Sequence, residues 1–102
     1  MQKVTIFYET ASGTMTQWSG QIVKVKSHQL TIMRHKQEMN FVFENTNFLL
    51  VTQSRVKDNE LCERPSQVFS NELRNTLMES FKDNTQLLWL NNKIIVQKPI
   101  TP

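Results

Sequence analysis

The segment Trp18-Ser-Gly-Gln-Ile-Val-Lys-Val-Lys-Ser-His-Gln-Leu-Thr-Ile-Met-Arg-His35 decides how this chain folds. β-Branched residues crowd both of its arms, which is strand chemistry rather than helix chemistry. A turn at His28-Gln29 would set Ser27 opposite Leu30, Val25 opposite Ile32 and Val23 opposite Arg34. One face of the ribbon then collects Val23, Val25, Leu30 and Ile32. The other carries Lys24, Lys26, Thr31, Met33 and His35. The expectation is a two-sided antiparallel hairpin, oily on one side and basic on the other.

Working outward, Val4 to Tyr8 alternates as a first strand. Thr10 to Thr14 reads as a turn in which Gly13 can take a positive φ. Trp18 to Lys26 is the second strand, interrupted at Gly20, which permits a bend or a close approach of strands. Leu30 to His35 is the third. Lys36 to Met39 turns into a fourth strand, Asn40 to Phe43, and Phe48 to Val51 is the fifth. Residues 52–66 are polar and charged and end at Pro65, so a long loop is predicted there.

Residues 69–82 predict the single helix. Ser70 suits the N-cap, Glu72 the first turn and Lys82 the last. Phe69, Leu73, Leu77 and Phe81 recur every fourth residue with Met78 beside them, giving one apolar stripe. That stripe fits a helix covering the open end of a small sheet. Residues 86–97 then form a hairpin around Asn91-Asn92. Trp89 is expected in the core. Leu87 and Ile95 are expected to face outward as an apolar patch suited to self-association.

A chain of 102 residues is one domain with one modest core, so residues 1–102 are read as a unit. No apolar run reaches the roughly 20 residues that span a bilayer. The opening Met1-Gln-Lys-Val-Thr-Ile-Phe-Tyr-Glu-Thr10 lacks the pattern of a secretory signal, and the lone Cys62 fits a reducing compartment. Cytoplasmic residence is the expectation. A single alanine and two glycines, among abundant Asn, Gln, Thr and Lys, are usual where coding DNA is rich in A and T, as in many Gram-positive bacteria, their plasmids and phages.

Formal charge is +3 with a pI near 9.3. Its distribution says more than its sum: between Glu9 and Glu38 no acidic residue occurs, while Lys24, Lys26, Arg34 and Lys36 fall there with His28 and His35. Clustered cations on one sheet face are the footprint of a polyanion site. The candidate nucleic-acid contacts are therefore Lys24, Lys26, Arg34, His35 and Lys36 for phosphates, with Tyr8 and Trp18 as stacking surfaces. The same lysines would also suit a solvated face that discourages edge pairing.

Catalysis has no visible basis. GxSxG, Walker and GxGxxG patterns are missing, and Asp58, Glu60 and Glu63 stand in a charged loop without apolar neighbours to raise a pKa. His28 and His35 are not in a zinc-ligand pattern, and Cys62 lies between Glu60 and Glu63, which oppose thiolate formation. A non-enzymatic protein without metal or cofactor is expected. Its partner would be RNA or single-stranded DNA, with a homo-oligomer possible and no membrane partner. The alternative is a protein-interaction adaptor or self-associating module.

The strands Val4-Thr-Ile-Phe7, Gly20-Gln-Ile-Val23, Gln29-Leu-Thr-Ile-Met33, Phe41-Val-Phe43 and Phe48-Leu-Leu50 resemble the Sm-like family, its Hfq branch in particular. The resemblance spans residues 3–51. It implies a mostly β (α+β) fold: a small, strongly bent five-stranded Sm- or SH3-like β-barrel, joined here to one C-terminal helix and a final hairpin. In that family such barrels form rings and bind RNA. The family's base-binding motifs have no counterpart at Ser27-His28-Gln29, at Glu44-Asn-Thr-Asn47 or at Phe43-Glu44-Asn45. The same alternation suits an SH3-like barrel or the barrel-like segment of YolD-type proteins.

Overall fold

Alternation of β-branched and polar residues through the first half of the chain produces a continuous antiparallel meander. The computed structural model describes residues 3–26, 29–42, 46–53, 66–90 and 93–98, leaving aside the side chains of Val25 and Ser66. The strands are β1 (Lys3–Glu9), β2 (Thr14–Lys26), β3 (Gln29–Arg34), β4 (Gln37–Val42), β5 (Phe48–Gln53), β6 (Ser66–Val68), β7 (Thr85–Leu90) and β8 (Lys93–Gln97). The helix α1 covers Asn71–Ser80. Among the described residues the fold is thus mostly β with one helix, and its order across the sheet is β4-β3-β2-β1-β5-β7-β8, with β6 added to β2. The sheet does not close into a barrel: β4 and β8 remain its two ends.

The sheet nevertheless curls hard. In a flat sheet β1 and β4 would lie about 14 Å apart, three strand spacings of ~4.8 Å. Instead the rings of Tyr8 and Phe41 meet edge-on at 5.0 Å, and Trp18 meets Phe41 at 6.3 Å. The concave side so formed holds one core, built from Val4, Ile6, Ile22, Leu30, Ile32, Phe41, Leu49, Val51 and Leu87. Gly20 makes the curl sterically possible. A Cβ there would lie 2.7 Å from Ile32 Cγ2 and collide with the Met33 carbonyl oxygen, so the close approach anticipated at this residue is present.

A second core occupies the opposite side of the sheet. Phe7, Met15, Phe48, Leu50 and Leu88 project there and are covered by Leu77 and Phe81, with Phe69, Leu73 and Met78 alongside. The predicted stripe is therefore the packing face of α1, but it lies on the convex face of the sheet rather than over an open end. Ser70 caps the helix by accepting a hydrogen bond from the Leu73 N–H at 3.1 Å. Lys82 falls after the last turn and pairs with Glu79 at the surface. The stretch read as a loop is shortened at both ends, since β5 runs on to Gln53 and β6 begins at Ser66. Strand β6 pairs with Thr14–Thr16, and the Phe69 N–H donates to the Gly13 carbonyl, which docks the start of the helix. Residues 54–65, including Asp58, Glu60, Cys62 and Glu63, lie outside the described residues.

The anticipated register of the β2–β3 hairpin is corrected. Val25 pairs with Leu30 and Lys26 with Gln29, so Gln29 belongs to the strand; Ser27 and His28 lie outside the described residues. Ile22 then pairs with Ile32, and Val23 is the extra residue of a β-bulge. The slip near the turn is even-numbered, so Leu30 and Ile32 still face the core and Lys24 and Lys26 still face out. Val23 does not join the core; it is half-buried on the outer side beside Lys24.

Two further expectations fail. Strand β4 starts at Gln37, and His35 and Lys36 form the turn before it, with φ of 50° and 63°. Leu87 does not face outward: it is 3% exposed within the concave core. Ile95 is exposed, as expected, and Ile94 with it. Trp89 is half-buried, its indole N–H donating to the Thr46 carbonyl at 3.0 Å.

Candidate polyanion-binding face

The strand registers put Lys3, Lys24 and Lys26 on the convex side, whereas Arg34, opposite Gln37, has the concave parity of Leu30 and Ile32. Phe7 and Met15 point to the convex face, so Lys3, Thr5, Ser19 and Gln21, of the same parity, do too. Across the sheet Gln21 pairs with Met33 and Met33 with Glu38. Beyond the bulge, Lys24 pairs with Thr31 and Thr31 with Asn40, their side chains joined by a hydrogen bond in which the Thr31 hydroxyl donates to Asn40 Oδ1 at 2.6 Å. Lys26 pairs with Gln29. The half of the convex face formed by β2, β3 and β4 is thus mainly polar, with Val23, Met33 and Val42 as its apolar members, and helix α1 packs on the other half.

Two hollows mark this polar half. One, of 470 Å³, is lined by Lys3, Ser19, Gly20, Gln21 and Met33 together with Arg34, His35 and Lys36. The other, of 340 Å³, lies beside the bulge and is lined by Val23, Lys24, Gln29, Thr31, Glu38 and Asn40. The first has no acidic residue in its wall. Its three permanent cations and one imidazole can present N–H donors to phosphate oxygens, with the Ser19 hydroxyl and Gln21 amide as neutral partners. The second brings Lys24 close to Glu38, which tempers the potential there.

Positive φ at both His35 and Lys36 is the pattern of a type I′ hairpin turn, normally made by Asn and Gly. Two side chains bearing nitrogen donors occupy it instead. Holding non-glycine residues there costs of order 1 kcal/mol or more each. The turn displays both side chains at the rim of the larger hollow.

Of the residues singled out from the sequence, Arg34, His35 and Lys36 come together in this hollow, and Lys24 and Lys26 follow along β2. Lys3 was missed because its side depends on the β1–β2 register, not on local sequence. Tyr8 and Trp18 are corrections. Their alternation phase puts them on the concave side, half-buried against Phe41, and burial raises the Tyr8 phenol pKa. Neither ring is on the cationic face. Arg74 shows the contrasting fate of a cation. Its guanidinium lies 5.0 Å from the Phe69 ring centre and 5.9 Å from that of Phe48, with Glu9 at 3.9 Å. Among the described residues, Lys3, Lys24, Lys26, Arg34 and Lys36 make no such ion pair.

Among the described residues no His, Cys, Asp and Glu side chains gather into a metal-binding group, and no helix is long and apolar enough to cross a membrane. Comparison with known protein families, with curated proteins and with solved structures returned no match.

Proposed function

We propose that this chain is a non-enzymatic nucleic-acid-binding module that grips phosphates with the uncovered half of its convex sheet face. One observation carries the reading: Lys3, Lys24 and Lys26 emerge on that half and Arg34, His35 and Lys36 line the hollow at its edge, where Glu38 is the acidic residue among those described. Cations so grouped, without ion-pair partners among the described residues, release counterions when they meet a polyphosphate.

The test pairs function with fold. Lys24→Glu combined with Lys26→Glu is expected to abolish retention on a nucleic-acid column at moderate salt. Surface substitutions of this kind shift stability by about 0.5 kcal/mol or less. Unchanged retention in a folded double variant would falsify the reading.

A second reading has its own observation. Strand β8 ends the sheet with Ile94 44% and Ile95 54% exposed, an apolar edge suited to pairing with another strand. It supports a self-associating module. Sedimentation of Ile94→Lys and Ile95→Lys variants tests it: the wild type should be the heavier species, and equal masses would remove this alternative.

A further inference from the structure

We propose that the nucleic acid taken by this face is a paired helix, held by its phosphates with the bases left inside the stack. This deepens the function proposed above and rests on it.

The cations and the accessible aromatic rings are on opposite sides of the sheet. Tyr8, Trp18 and Trp89 belong to the concave core, while Lys3, Ser19, Gln21, Lys24 and Lys26 face out. Among the described residues the rings on the convex side are Phe7, Phe48, Phe69 and Phe81, all within the cluster under helix α1. A base splayed onto the cationic half would meet lysine stems, hydroxyls and amides, with no described ring to stack on. Proteins that hold single strands draw much of their affinity from such stacking, roughly 5- to 140-fold per base. That contribution is missing from this face.

A reader made of cations responds instead to phosphate density. A duplex carries a charge every ~1.7 Å of axis, about twice that of one strand, and each neutralised phosphate counts for more: the salt slope is roughly −0.9 per contact on a duplex and −0.7 on a single strand. The stretch of β2 from Gln21, beside the larger hollow, to Lys26 covers about 17 Å at ~3.3 Å per residue. That matches about five base-pair steps of ~3.4 Å. Ser19, Gln21, Gln29 and Asn40 lie along the same track and suit phosphate and sugar oxygens. Contacts of this type fix position without reading sequence.

The experiment uses the full chain, a fluorescein-labelled duplex of ~20 base pairs, and an oligo-dT strand of the same length, titrated by anisotropy across a salt series; each titration is repeated with unlabelled nucleic acid while tryptophan emission is followed. The duplex is expected to bind about 10-fold or more tightly than the strand, with the steeper salt slope and with tryptophan emission unchanged. Lys3→Glu with Lys36→Glu should weaken duplex binding about 10-fold or more without altering the circular dichroism spectrum. A strand bound as tightly as the duplex, or quenching of the tryptophans by either ligand, overturns this inference while leaving nucleic-acid binding intact. Binding of neither overturns both the inference and the function beneath it.

Discussion

The two halves of the convex face share strands but not fates. Along β1 the outward side chains run Phe7, Thr5, Lys3: the first fully buried, the second nearly so, the last exposed. Along β2 the matching series is Met15, Gln17, Ser19, Gln21, again from buried to exposed. Helix α1 takes the end where aromatic and thioether side chains project, because burying them there removes apolar surface from water. The cover stops where the outward residues become hydroxyls, amides and ammonium groups. Leaving that second half bare exposes only scattered apolar side chains, Val23, Met33 and Val42, and keeps its donors accessible.

The contrast is most sharply tested by truncation on each side. Phe7→Ala should destabilise the fold by about 3–5 kcal/mol, since Phe7 is fully buried and stacks on Phe81 at 5.1 Å. Gln21→Ala, on the bare half, should change stability by no more than about 0.5 kcal/mol. Urea unfolding of both variants measures the difference, and equal costs would mean that the polar half is packed as well. Next in size is Gly20→Ala, which forces a methyl group toward the backbone of β3. A loss of about 1–3 kcal/mol is expected, and a neutral result would show that the strands can separate there.

Lys36→Gly should act in opposite directions on the two properties. Removing a side chain from positive φ should stabilise the protein by about 1 kcal/mol, some 4–8 °C in melting temperature for a domain of this size. The same change removes a cation from the larger hollow and should lower nucleic-acid affinity. A variant that gains stability and loses no affinity would reduce Lys36 to a turn residue. The smallest effect concerns Tyr8, the only tyrosine. Its phenol should titrate above the ordinary value of 10.0 because burial disfavours the phenolate, as absorbance at alkaline pH will record. Because the folded-state pKa is the higher one, this contribution to stability is complete below the unfolded phenol range and is lost as pH climbs through the folded-state value. A Tyr8 that titrates normally would place its ring in solvent, and stacking would return to consideration.

Much of this was legible in the chain. Period-two alternation located the strands of the meander, and the four-residue stripe from Phe69 to Phe81 found the helix and its packing face. The cation-rich stretch between Glu9 and Glu38 singled out Lys24, Lys26, Arg34, His35 and Lys36, which line the larger hollow or follow it along β2. What failed was long-range or phase-dependent. Leu87 looked like an outward residue because local alternation cannot tell which face of β7 the curled sheet will enclose. Tyr8 and Trp18 looked like stacking residues because aromaticity says nothing of parity. The bulge did leave a trace: apolar residues fall on even positions through Trp18, Gly20 and Ile22, then on odd ones at Val23 and Val25. Adjacent Ile22 and Val23 mark the change of phase, and reading them as one uninterrupted strand hid it. Strand β6 is three residues long and is held by pairing with β2, so its own sequence carried little signal.

That single surplus residue makes the charge of the outer surface a matter of counting rather than chemistry. Were Val23 taken into regular alternation after Ile22, with no bulge, both downstream lysines would be delivered to the oily interior. Loss of the Val23 codon alone would instead leave Lys24 and Lys26 outward, since regular alternation from Ile22 then gives them the side they already have. Homologous chains should accordingly either keep a surplus residue between Ile22 and Lys24 as a bulge or lack it altogether, with the lysines outward in both cases.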